Sequence, residues 1–155
     1  MIDDPLLGVL GPLITATRQD SAIQAVIGND ENGIRRVRGF EPAEGDVITG
    51  VDVNGRPKFL PFIVFVILDA TPDDDVPVTF ASIGARCYGS TPQNAWAVYA
   101  ALVRALHRVG PRVVSGLGIY QTLVRGGQQT TDPDTKQPVV MATIPLLATA
   151  QAFAT

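Results

Sequence analysis

Phe62-Ile63-Val64-Phe65-Val66-Ile67-Leu68 is a run of β-branched, aromatic and aliphatic residues between Pro61 and Asp69, and it constrains the fold more than any other stretch. It is too short for an independent helix and reads as a buried central strand, the core of a sheet. The rest of the chain has to supply that strand with neighbours and cover.

Pro5 to about Ile27 is expected to be helical in two pieces, because Leu6, Val9, Leu10, Leu13 and Ile14 recur at helical spacing. Asp20 or Ser21 caps the second piece and Gly28-Asn29 stops it. Ile34 to Phe40 alternates as a strand, whereas Glu41 to Lys58, with Pro42, Gly45, Gly50, Gly55 and Pro57, reads as a long loop with room for a hairpin. Ala70 to Pro77 reads as a turn. Val78 to Tyr88 follows as a strand in which Thr79, Ala81, Ile83, Ala85 and Cys87 share one face. The clearest element comes next: Thr91 as N-cap, Pro92 at the first helical position, and a helix to His107 or Arg108 before Gly110-Pro111. Its apolar stripe is Ala95, Val98, Tyr99, Leu102 and Leu106, and its last turn carries Arg104, His107 and Arg108, where positive charge suits the helix dipole. Val113 to Arg125 and Pro138 to about Thr149 are the closing strands, joined by the polar segment Gly126 to Gln137, with Pro145 arguing for an edge position or a bulge.

No strand-helix-strand alternation repeats along this order. The expected class is therefore α+β: a mainly antiparallel or mixed sheet with two or three helices packed on one face, a single domain over residues 1–155. A composition of 46% hydrophobic and 17% charged residues is that of a globular chain. Twelve basic against fifteen acidic residues give a net charge of −3, which is no footprint for nucleic-acid binding and no polybasic membrane patch. No sequence-specific nucleic acid and no membrane partner are expected. The acidic start Met1-Ile2-Asp3-Asp4-Pro5 is unlike a signal peptide, and the apolar run Phe59 to Leu68 is about half the length of a membrane-spanning helix, so a soluble chain is expected. Cys87 is the only cysteine, which excludes an intrachain disulfide and suits a reducing cytosol.

Chemistry finds little purchase. One histidine and one cysteine exclude a zinc framework of the usual spacing, and Cys87 with His107 is the only obvious nucleophile and base. A core cysteine and a helix-end histidine explain both. Gly116-Leu117-Gly118 and Gly126-Gly127 lack the remainder of a phosphate-binding loop, and Asp73-Asp74-Asp75 lacks the spaced oxygens of a calcium loop. No catalytic residue, metal site or cofactor is expected, and the chain reads as a non-enzyme. A rival reading is a small cytosolic ligand-binding or hydrolytic domain whose site draws on Cys87, Tyr88 and His107.

The interaction surface remains. The segments 41–58 and 126–137 are long for connections in a compact domain, and long loops tend to be functional or disordered. The candidate assembly contacts are Arg35, Arg36 and Arg38, with Asp132, Asp134 and Lys136 of the second loop.

Arg86-Cys87-Tyr88-Gly89-Ser90-Thr91-Pro92-Gln93-Asn94-Ala95, with the helix to Leu106-His107, resembles the tail terminator proteins of long-tailed, siphovirus-type bacteriophages. The amino-terminal helix, the apolar strand at Pro61 to Leu68, and the closing strands flanking Gly126-Gly127 and Asp132-Pro133-Asp134-Thr135 agree with it. The resemblance implies a subunit of a hexameric ring that caps the tail tube, stops its polymerisation and presents the surface joined to the head connector. It implies tail tube protein and head-to-tail connector proteins as partners, the virion tail or neck as location, and the host cytoplasm during assembly. Another neck or head-completion protein of the same virion is the alternative. The resemblance assigns no interface residue one by one.

Overall fold

The computed structural model describes residues 13–28, 36–39, 49–51, 54–55, 57–72, 78–107, 112–114, 117–133 and 136–149. Residues 13–19 are helical (α1), and Asp20 breaks them from α2, Ser21–Ile27. The Asp20 carboxylate accepts the N–H groups of Ala22 at 2.8 Å and Ile23 at 3.2 Å, satisfying donors that a helix start leaves open. Of the two expected caps, Asp20 is the one used. The third helix, α3, spans Pro92–Leu106, with Thr91 Oγ1 accepting the Asn94 N–H at 3.2 Å and His107 closing it in extended geometry. The expected helix over residues 5–12 lies outside the described residues.

The strands are β1 (Val37–Gly39), β2 (Thr49–Val51), β3 (Pro57–Phe59), β4 (Phe62–Pro72), β5 (Val78–Tyr88), β6 (Arg112–Val114), β7 (Leu117–Thr122), β8 (Arg125–Thr131) and β9 (Pro138–Thr149). Among the described residues β2 and β3 form a small antiparallel hairpin within the expected 41–58 loop. The other strands make a seven-stranded mixed sheet in the order β1-β4-β5-β9-β7-β6, with β8 also pairing β9. The pairings are antiparallel except β1 with β4, which is parallel. The α+β class expected from the element order is the class found.

Three expectations need correction. Residues 70–72 are strand, because β4 stays paired with β5 to Pro72↔Thr79 after a bulge between Ile67 and Asp69. The segment 126–137 is mostly not loop: Gly126 to Thr131 belong to β8, and the turn starts at Asp132. Pro145 sits in neither an edge strand nor a bulge of its own strand. β9 is central, with β5 along one side and β7 then β8 along the other, and Pro145 falls where β7 hands over to β8. There the chain breaks at Leu123-Val124, and Leu123 N–H donates to the Pro145 carbonyl at 3.3 Å. A missing N–H is tolerated in mid-sheet because no ladder partner stands opposite it.

The alternation of strand side chains divides the interior in two. Ile63 and Phe65 of β4, Ala81, Ile83, Ala85 and Cys87 of β5, and Val140, Ala142, Ile144 and Leu146 of β9 meet the helices. Helix α3 presents Ala95, Val98, Ala101, Leu102, Ala105 and Leu106 to them, and Leu13, Ile23 and Ile27 complete this main core. On the other face Phe62, Val64, Tyr88 and Val139 form a smaller buried cluster with Val66 against it. Further along that face the cover gives out, leaving Leu68 58% and Phe80 53% exposed.

Candidate assembly surface

Of the arginines singled out by sequence, Arg36 is buried and its guanidinium donates to the carbonyl of Ile27, the last residue of α2. It braces the subunit's own helix end, where a positive charge is favoured. Arg38 is half-buried on β1 and Arg35 lies outside the described residues. Sequence reasoning missed Arg18, whose Nε donates to the Val37 carbonyl at 2.9 Å and so ties α1 to the same edge strand. Burial and, second, the positive charge of Arg38 push the Arg18 guanidinium below its ordinary range.

At the other edge of the sheet, Asp132 accepts a hydrogen bond from the Tyr88 hydroxyl at 2.7 Å. Its backbone N–H donates to Gln137 O at 2.9 Å, and Lys136 N–H donates to Asp132 O at 2.8 Å, closing the turn. Lys136 holds φ 61° and is exposed, while Asp134 lies outside the described residues. Tyr88 stacks on Phe62 with ring centroids 4.2 Å apart, and burial, then the Asp132 carboxylate, push its phenol up to about 12. The structure therefore brings Asp132 and Lys136 together and keeps them away from Arg38. The register runs Val37↔Ile63↔Cys87↔Val140↔Gln129, which puts the two groups at one end of the sheet on opposite edges. Four strand spacings, about 19 Å, separate β1 from β8.

Helix α3 is tied to β8 by two contacts that the stripe argument did not reveal. Trp96 Nε1 donates to Gln129 Oε1 at 2.8 Å, and the Tyr99 hydroxyl donates to the Gly126 carbonyl. Tyr99 also lies against Gly127, where an added Cβ would stand 2.9 Å from the ring at φ 125°. Gly127 is thus required by the approach of the ring and by its backbone. The paired glycines support a bend of β8 under α3.

Cys87, Tyr88 and His107 do not converge. Successive residues of a strand point to opposite faces, and here Cys87 is in the helix-facing core while Tyr88 is in the cluster on the other side. Burial raises the Cys87 thiol far above its ordinary range, and His107 Nδ1 accepts the Val124 N–H at 3.1 Å, fastening the end of α3 to the break between β7 and β8. Cys87→Ala should cost about 1 kcal/mol of stability, as a small truncation in a packed core, measured as a lower urea midpoint. A much larger loss would show that the sulfur has partners beyond its packing.

The outer face of the sheet carries a feature the sequence reading did not single out. Between the bare ends of β4, β5, β8 and β9 lies a groove of about 310 Å³ lined by Val66, Leu68, Gly84 and Met141, with Arg86 and Arg125 on it. A second hollow, about 330 Å³, continues past Arg86 to Tyr88, Thr130 and Asp132. The signal was present in the second face of Val78 to Tyr88, where Phe80, Ser82, Gly84, Arg86 and Tyr88 alternate with the core residues. Among the described residues there is no group of three or more His, Cys, Asp or Glu side chains placed to hold a metal ion, and no helix is long and apolar enough to cross a membrane.

No family model matches the sequence, and no curated protein matches it. Among solved structures the chain is similar to a chain in the virion of a native gene transfer agent particle, at 11% identity and a TM-score of 0.64, over 95% of this chain and 99% of the other. At that identity the likeness is one of fold, and it extends over both chains almost from end to end.

Proposed function

We propose that this chain is a virion structural protein, and more narrowly a tail terminator: a subunit of a ring that caps the tail tube, ends its polymerisation and offers the surface joined to the head connector. The end-to-end fold likeness to a chain of a gene transfer agent virion carries the reading. The resemblance at Arg86 to Ala95 and the following helix supports its narrower part. In this reading the chain performs no chemistry. Its work is steric, with one face of the ring adding to the last ring of the tube and the opposite face unlike a tube subunit. Head-to-tail contacts between unlike surfaces make a ring when the rotation closes and a filament when it does not. Two candidate contact groups on opposite edges of one sheet, Arg38 on β1 and the turn at Asp132 and Lys136, suit that kind of contact.

Tail-tube protein of the same virus, polymerised with and without the purified chain and viewed by negative-stain electron microscopy, tests the proposal. The expected outcome is tubes that stop growing and end in one additional ring. Tubes that lengthen unchecked, with no chain at their ends, overturn the terminator reading and redirect the search to the head side of the neck.

A further inference from the structure

We infer that the outer-face groove at Arg86 and Arg125 receives the acidic tip of the β4–β5 hairpin of a second copy of this chain. The inference rests on the ring reading above and names one contact between neighbouring subunits. Two guanidinium groups face a groove floored by Val66, Leu68, Gly84 and Met141, of which Leu68 and Met141 are 58% and 41% exposed. Such a site suits a segment that is anionic and partly apolar. The chain carries one with that chemistry: Asp73-Asp74-Asp75 joins β4 to β5, and Phe80, 53% exposed, stands on the outer face beside that end of the hairpin. Asp132, the acid nearest the groove, is held by the Tyr88 hydroxyl on the far side of Arg86.

Geometry rules out a contact within one subunit. Arg86 is eight residues of paired strand from Val78, and Arg125 stands in register, through Thr143, with Gly84, six residues from Val78. At ~3.3 Å per residue these are about 26 and 20 Å. Residues 73–77 are tied at both ends to the paired residues Pro72 and Val78, so that connection extends no more than about 10 Å from its anchors. A tip can reach a groove only on another copy. Groove and tip lie toward different ends of the sheet, so the contact is head-to-tail and repeats from subunit to subunit. Opposed charges across it set register and exclude wrong pairings.

Sedimentation velocity of the full chain over a range of concentrations tests this with two variants. One is Arg86→Glu with Arg125→Glu, the other Asp73→Lys with Asp74→Lys and Asp75→Lys. Each alone should associate on the order of a hundredfold more weakly than the wild type. Mixed in equal amounts they should re-form the wild-type assembly, because each groove then meets a tip of opposite charge. Arg86 also hydrogen-bonds Tyr88, so Arg125→Glu alone, at an exposed position, keeps the test valid should the double variant fold poorly; it should weaken association in the same direction. Variants that associate like the wild type, a mixture that stays apart, or a wild type that stays monomeric at every concentration each overturn the inference. Variants that keep wild-type association but no longer cap tubes also overturn it, and put an acidic segment of the tube protein in the groove. Tube length, measured separately, decides the terminator reading whichever way the sedimentation result falls.

Discussion

Phe65→Ala should remove about 3–5 kcal/mol of stability, the range for deleting a fully buried aromatic side chain. Phe65 is 0% exposed in the middle of β4, on the face that meets α2 and α3, and pairs with Gly39 on one side and Ala85 on the other. Neither neighbour has the volume to fill the space left, so the cavity persists and adds to the lost transfer energy. In urea the midpoint should fall while the slope stays fixed, the mark of lost stability without a change in the surface exposed on unfolding. Leu68→Ala, three positions on and mostly exposed, should stay within about 0.5 kcal/mol. If the two variants lost similar stability, the division of the sheet into a covered and a bare face would be wrong.

Gly89→Ala should be nearly as damaging for the opposite reason. A Cβ at Gly89 would stand 2.4 Å from the Ala95 backbone nitrogen and 2.7 Å from the Asn94 carbonyl carbon. These are backbone atoms in the first turn of α3 and cannot swing aside as a side chain could. Gly89 cannot retreat freely either, since its N–H donates to the Pro138 carbonyl at 3.3 Å. Forcing the helix off the end of β5 should cost about 3 kcal/mol, at the upper end for overpacking. For a chain of this size that is a fall in melting temperature of roughly 6–12 °C, read by circular dichroism. An unchanged melting temperature would mean that α3 is not seated where Gly89 requires it.

What could be read from sequence was whatever is encoded by local pattern. Thr91 with Pro92 announces α3, the run Phe62 to Leu68 announces a central strand, and the alternation Ala81, Ile83, Ala85, Cys87 picks out the covered face of β5. Polar residues that serve non-local pairing were misread. Gln128, Gln129, Thr130 and Thr131 look like loop but hydrogen-bond as β8 because β9 lies beside them, and Pro145 looks like an edge marker because the handover from β7 to β8 leaves no trace in its own neighbourhood. Arg36 looks like surface charge, and only the fold shows the helix end that it braces. The groove went unseen for the same reason: Arg86 and Arg125 are far apart in sequence and meet across three strands.

The placement of β9 has a kinetic side. This strand, the last in chain order among the described residues, is the hub that joins β5 to β7 and β8. Until residues 138–149 have been synthesised, the hairpin of β4 and β5 keeps an open edge eleven residues long. The same absence leaves α3 without half the surface it rests on, since Val140, Ala142 and Ile144 belong to that core. Pairings between distant segments form slowly, and unpaired edges in partly folded chains invite association with other chains. A nascent or truncated chain lacking β9 should therefore be an aggregating species rather than a smaller folded one, and the final strand acts as the checkpoint between synthesis and assembly.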